Sequence, residues 1–115
     1  MFSFESLDVY QLSLEFAKEI VKTTFYMPRG YFSLVDQLRR ASTSISLNIA
    51  EGSGRYAKGE KRQFYSIAKG STYECVPLVS LFKDLGLFSS EQTDNFKETL
   101  QRIAKMLTKL VQSVS

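Results

Sequence analysis

The sequence predicts an all-α fold, an antiparallel up-down-up-down four-helix bundle. Three observations predict it. Apolar residues recur at intervals of three and four along most of the chain, with no strand-like alternation. Glycine, proline and serine clusters divide the chain into four such segments. The connections between them are short, which makes consecutive helices antiparallel neighbours. With 115 residues, 43% apolar and 23% charged, the chain suits one globular domain over residues 1–115.

The first helix is predicted over about 7–25. Tyr10, Leu14, Ala17 and Val21 follow the 4-3-4 spacing of one face, and Val9, Phe16 and Ile20 widen it. So broad a stripe suggests more than one neighbour. Pro28 and Gly30, in MPRGY, break the helix. The second is predicted over about 33–51. Ser33 and Asp36 have capping-box spacing, Leu34, Leu38, Ala41, Ile45 and Ile49 form the stripe, and Gly52 stops it. The third runs over about 59–85, with Phe64, Ile67, Ser71, Cys75, Leu78, Phe82 and Leu85 on one face. Pro77 inside it is expected to remove a hydrogen bond and bend the helix, and Gly86 ends it. The fourth is predicted over about 90–113. Ser89 and Gln92 have capping-box spacing, and Phe96, Leu100, Ile103, Leu107, Leu110 and Val114 form a regular seam.

Composition bears on function by exclusion. The chain has no histidine, the commonest general base and transition-metal ligand. A di-iron bundle of the Glu-x-x-His type is thereby excluded. The single cysteine, Cys75, reads as a small core residue in a reducing compartment. EGSGR lacks the Lys-Ser/Thr that completes a phosphate-binding loop. No metal, cofactor or catalytic residue is expected, so the chain reads as a non-enzyme. No apolar run approaches the roughly 18–20 residues of a membrane span, and the N-terminus has no signal-peptide pattern. A cytoplasmic location with no membrane partner is the expectation.

Charge is concentrated in one region. Residues 39–69 hold seven basic side chains against two acidic ones, within a whole-chain net charge of +3. Arg39, Arg55, Lys58, Lys61, Arg62 and Lys69 are candidates for nucleic-acid phosphates, with Tyr56 and Tyr65 available for stacking. A second feature borders the core. Arg40, Ser44, Asn48 and Glu51 step along one side of the second helix, and Ser71 and Glu74 fall on an apolar face of the third. An inward Glu74 needs a cation, and Arg40 or Arg39 is the natural partner. The expectation is a structural polar layer of Arg40, Ser44, Asn48, Glu51, Ser71 and Glu74; a Glu51–Glu74 acid–base or metal-holding pair is the functional alternative. Apolar residues off the main stripes, among them Leu47, Tyr73 and Leu81, support an alternative function as a protein-interaction or scaffold module.

Three stretches, LDVYQLSLEFAKEI, MPRGYFSLVDQLRRASTSISLNIAEGSGR and FYSIAKGSTYE, resemble the four-helix-bundle family named after the intervening sequences of bacterial 23S rRNA genes, also called S23-type. The motif Q-L-R-R-A-x-x-S-I-x-x-N-I-A-E-G-x-G-R runs from Gln37 to Arg55, and Gly70, Ser71 and Glu74 match G-S-x-x-E. The resemblance implies a compact bundle that assembles as a homopentamer. A related group is the accessory protein of diversity-generating retroelements, which implies RNA or DNA and a reverse transcriptase as partners. The chain departs from the pattern at Tyr10, often Trp, at Ala57, often Ser or Thr, and at Pro77.

Overall fold

The computed structural model describes residues 1–114. Four helices account for most of them: α1 (Asp8–Thr24), α2 (Phe32–Ser53), α3 (Lys58–Asp84) and α4 (Ser90–Ser113). Short 3-10 turns at Ser3–Ser6 and Arg29–Tyr31 precede α1 and α2. Each helix packs on its neighbours in sequence, and α4 returns to α1. Among the described residues no Cα of α1 comes within 8 Å of one of α3, nor of α2 within 8 Å of α4. The α2–α3 contact is the most extensive and the α1–α4 contact the least. The result is an antiparallel four-cornered bundle with extents of 43 × 22 × 21 Å.

Local chemistry sets the ends of the helices. Ser89 and Gln92 form the predicted capping box: the Gln92 amide donates to Ser89 Oγ at 3.0 Å and the Ser89 amide to Gln92 Oε1 at 2.8 Å. The box predicted at Ser33 and Asp36 does not form. α2 opens at Phe32 out of the 3-10 turn, and Asp36 instead accepts from Arg40 Nε at 2.9 Å. At the end of α3, the Leu87 amide donates to Phe82 O at 2.8 Å and the Gly86 amide to Lys83 O at 2.9 Å. This Schellman closure needs the left-handed backbone of Gly86, whose φ is 76°. Pro77 does not divide α3. It lies on an exposed face, so the Tyr73 carbonyl that loses its donor opens toward water.

The core is a column of aliphatic side chains. Ile20, Leu38, Ile45, Ile49, Val79, Phe82, Ile103 and Leu107 are fully buried. The predicted stripes of α2 and α4 face it, with Phe96 and Leu110 packed at its edge. Those of α1 and α3 are rotated. α1 buries Val9, Ser13, Phe16, Ala17, Ile20 and Thr24, and leaves Leu14 and Val21 exposed. α3 buries Tyr65, Ala68, Thr72, Cys75, Leu78, Val79 and Phe82, and leaves Ile67 and Leu85 exposed. The reason is that small hydroxyl residues occupy core positions. Ser13, Thr24 and Thr72 each donate to a carbonyl of their own helix, at 2.8, 2.7 and 2.9 Å. They therefore enter the interior without an unpaired polar atom.

At Gly52 the backbone of α2 comes close to α3. It is buried as the penultimate residue of α2, which ends at Ser53 with Gly54 as its cap, close to the predicted stop. A Cβ there would lie 2.7 Å from Cε1 of Tyr65 and 3.0 Å from Cβ of Phe64. Tyr65 cannot swing away freely, because it is buried and its hydroxyl lies 3.2 Å from Ser53 Oγ. Gly70, in the exposed middle of α3, has nothing within 4 Å of its missing Cβ. Gly52→Ala is expected to cost about 1–3 kcal/mol in urea unfolding through overpacking. Gly70→Ala is expected to leave stability unchanged or raise it by about 0.5–1 kcal/mol, because alanine favours helix.

Candidate nucleic-acid interface

Of the basic residues singled out from the sequence, Arg55, Lys58, Lys61 and Arg62 cluster where α2 passes into α3, and Arg39 lies apart from them. Lys61 Nζ donates to the carbonyls of Gly52 at 3.4 Å and Ser53 at 3.1 Å, closing the C-terminus of α2. Arg62 Nη1 donates to Val114 O at 2.6 Å, closing the C-terminus of α4. Both sit where unpaired carbonyls and the helix dipole favour a cation. Arg55 Nη2 pairs with Glu51 at 3.0 Å, Nη1 lies 4.0 Å from Glu60, and its guanidinium rests over the Phe64 ring at 4.7 Å. Arg39 lies at the far end of α2, where Nε donates to Thr24 Oγ1 at 2.9 Å and Nη2 to Val21 O at 3.5 Å. Lys58 is exposed. Lys69 stands 6.0 Å from the Tyr73 ring centroid. Of the two tyrosines expected to stack on bases, Tyr56 is fully exposed, whereas Tyr65 is buried and unavailable.

The polar layer forms in part. Ser44 Oγ and Ser71 Oγ lie 2.8 Å apart, and Asn48 Nδ2 donates to Ser44 O at 2.8 Å and to Ser44 Oγ at 3.0 Å. These three residues bridge α2 and α3. Arg40, Glu51 and Glu74 do not join them. Arg40 pairs with Asp36 on its own helix and is exposed, and Glu51 pairs with Arg55. Glu74 is exposed, and no ion pair with either Arg39 or Arg40 forms among the described residues. Water on the outer flank of α3 removes the need for an internal counter-charge. A Glu51–Glu74 pair is excluded by register. With Ser44 level with Ser71, the two carboxylates lie about 15 Å apart along the bundle at a rise of 1.5 Å per residue.

The antiparallel packing brings in residues that the one-dimensional reading passed over. The second half of α4 carries Arg102, Lys105 and Lys109 with no acidic residue after Glu98. The Arg62–Val114 contact shows that this half lies beside the basic first half of α3. Between the two helices runs a groove of about 460 Å³, lined by Tyr73 from α3 and by Lys97, Gln101 and Lys105 from α4. Tyr73 is 59% exposed, with Lys69 Nζ 6.0 Å over its ring. Cationic edges, one exposed aromatic ring and neutral hydrogen-bonding groups can take a phosphate backbone with a base stacked beside it. The signal was present as a run of α4 cations, masked by the acidic residues that precede them.

Cys75 lies in the core near this groove. Burial pushes its thiol up to about 12, and the charge of Glu74 adds to the effect. At neutral pH it is a protonated packing group with no nucleophilic character. In native protein at pH 8, Cys75 is expected to react with a thiol reagent at least ~100-fold more slowly than in urea-unfolded chain, as read by absorbance.

No helix among the described residues is long and apolar enough to cross a membrane. The family profile described as 23S rRNA-intervening sequence protein matches residues 5–109. The fold is similar to the crystal structure of a protein of unknown function of the S23 ribosomal protein family from Bacteroides thetaiotaomicron. The two share 25% identity and a TM-score of 0.83, over 90% of this chain and 95% of that one. No curated protein matches. Sequence motif, bundle topology and solved relative agree, and the chain belongs to the 23S rRNA-intervening sequence protein family.

Proposed function

We propose that this chain is a non-catalytic, oligomeric bundle that binds RNA or DNA without sequence preference along its α3–α4 face. The observation that carries the reading is the groove beside Tyr73, with Lys97 and Lys105 at its edge and Lys69 against the ring. Lys58 and Arg102 extend the positive surface. The cations supply attraction to phosphates and the ring supplies stacking, and neither reads a base. Of the residues first picked out for this role, Lys58 and Lys69 keep it, while Arg39, Arg55, Lys61 and Arg62 serve mainly to hold helices and their ends.

One copy carries a modest excess of charge, and assembly multiplies it. A homo-oligomer, a pentamer by family resemblance, acting in the cytoplasm completes the proposal. A reverse transcriptase is the protein partner that the related group suggests. The scaffold reading is favoured by one separate observation, the exposed Leu14, Val21, Leu47, Ile67 and Leu81. Those side chains also suit the subunit contacts that an assembly needs.

Mobility-shift assays with single-stranded RNA and DNA across 50–200 mM salt test the proposal. Wild type is expected to lose roughly 10–100-fold in affinity over that range if about three phosphates are neutralised. The Lys97→Glu/Lys105→Glu double variant is expected to lose at least ~10-fold at low salt. No binding by wild type at 50 mM salt, or equal binding by wild type and variant, contradicts it.

A further inference from the structure

The α1–α4 side of the bundle has the least extensive contact of the four, and a groove opens along it. Near the end where α1 finishes and α4 begins, this groove holds about 310 Å³. Its floor is apolar and is made by Leu12, Phe16 and Phe96, the two rings meeting edge to face at 5.8 Å. Its α1 rim is acidic. Glu15 and Glu19 stand one turn apart there, and no lysine or arginine lines the groove. Glu15 meets only Lys18, at 3.5 Å, with both side chains 57% exposed. Glu19 is half-buried and enters no ion pair among the described residues. The hydroxyls of Thr23 and Thr99 donate to the carbonyls of Glu19 and Asn95 on their own helices, at 2.6 and 3.1 Å, which leaves their oxygens as acceptors. The lining is thus rich in acceptors over an apolar floor.

The seam continues along the same flank. Toward its other end a cavity of about 390 Å³ is lined by Leu7, Val9, Met106 and Leu110, together with Asp8 and Lys109. The two cavities are about 15–20 Å apart along the helices, at 1.5 Å of rise per residue.

The geometry points to this seam as the docking groove for one cationic, amphipathic helix of a partner protein. This inference is independent of the nucleic-acid and assembly readings above. Shape favours a helix, because two antiparallel helices with a loose contact leave a trough parallel to their axes. Charge selects the sign. A lysine or arginine can lay its methylenes on Leu12, Phe16 and Phe96 and bring its head to Glu15 and Glu19. A neutral apolar helix would cover Glu19 and return no counter-charge. An anionic partner, nucleic acid included, meets like charge here and belongs on the α3–α4 face. The second cavity adds an apolar anchor on the partner, about three turns from the cation.

Fluorescence anisotropy with the intact chain tests the inference. The probe is a labelled helical peptide of about 18 residues with a leucine face and a lysine face, compared with the same peptide carrying glutamate for lysine. Wild type is expected to bind the lysine peptide saturably, and at least ~10-fold more tightly than the glutamate peptide. Glu15→Gln/Glu19→Gln is expected to lose at least ~10-fold for the lysine peptide, with unchanged circular dichroism. Glu74→Gln/Asp84→Asn removes the same charge from exposed sites on α3 and is expected to bind as wild type does. No saturable binding by wild type, or an equal loss in the two double variants, overturns the inference. A Glu15→Cys variant is expected to react with a maleimide in native protein, against a low background because Cys75 is buried. A residue 15 thiol that stays unreactive until urea is added would mean that another copy of the chain already covers the groove, and overturns the inference as well.

Discussion

At Gly52 the backbone of α2 lies against the ring of Tyr65, and two turns away Ser44 meets Ser71 at 2.8 Å. Together these contacts fix how α2 and α3 slide past one another. Steric exclusion acts at one point and a directional bond at the other, so a shift by one turn would lose both. The α2–α3 pair is the most extensive contact in the bundle, and the other helices are placed from it. α1 is tied to α2 through Arg39 and Thr24. α4 is tied to α3 through the Phe82–Phe88–Phe96 cluster at one end, with centroids 4.9 and 5.2 Å apart, and through Arg62 at the other.

The same register explains why positive charge gathers where it does. Lys61 and Arg62 are needed where α2 and α4 run out of hydrogen-bond donors, and both helices end near the start of α3. Cations placed for helix closure thus become neighbours of those on the second half of α4. Fold and electrostatics are coupled through one end of the molecule. Residues that close helices keep their charge but have little freedom to reach a ligand. The cations that close no helix end are Lys58 and those along the α3–α4 groove.

Much of this was legible in the sequence, and the misses have particular causes. The topology, four helix spans within a few residues, the α4 seam and the Ser89 capping box follow from spacing and capping chemistry. The faces of α1 and α3 were misplaced because apolarity was taken as the mark of the interior. Ser13, Thr24 and Thr72 hide in the core by bonding their own helices, which displaces Leu14, Val21 and Ile67 outward. Glu74 was read as an inward anion for the same reason. The row on which it was read divides: Leu78 enters the core, whereas Glu74 and Ile67 lie on the exposed side of α3. Gly52 was read as a helix breaker, and its role as a contact surface requires knowing what lies opposite. The groove beside Tyr73 depends on which half of α4 meets which half of α3, and so required the three-dimensional arrangement.

The direct test of the α2–α3 constraint is a double-mutant cycle between Gly52 and Tyr65, with Gly52→Ala and Tyr65→Leu measured singly and together by urea unfolding. If the ring of Tyr65 is what forbids a side chain at residue 52, the pair couples by at least about 1 kcal/mol, and the alanine costs little once the ring is gone. Strict additivity of the two changes would contradict the account, because residue 52 would then matter for a reason unconnected with the approach of α3.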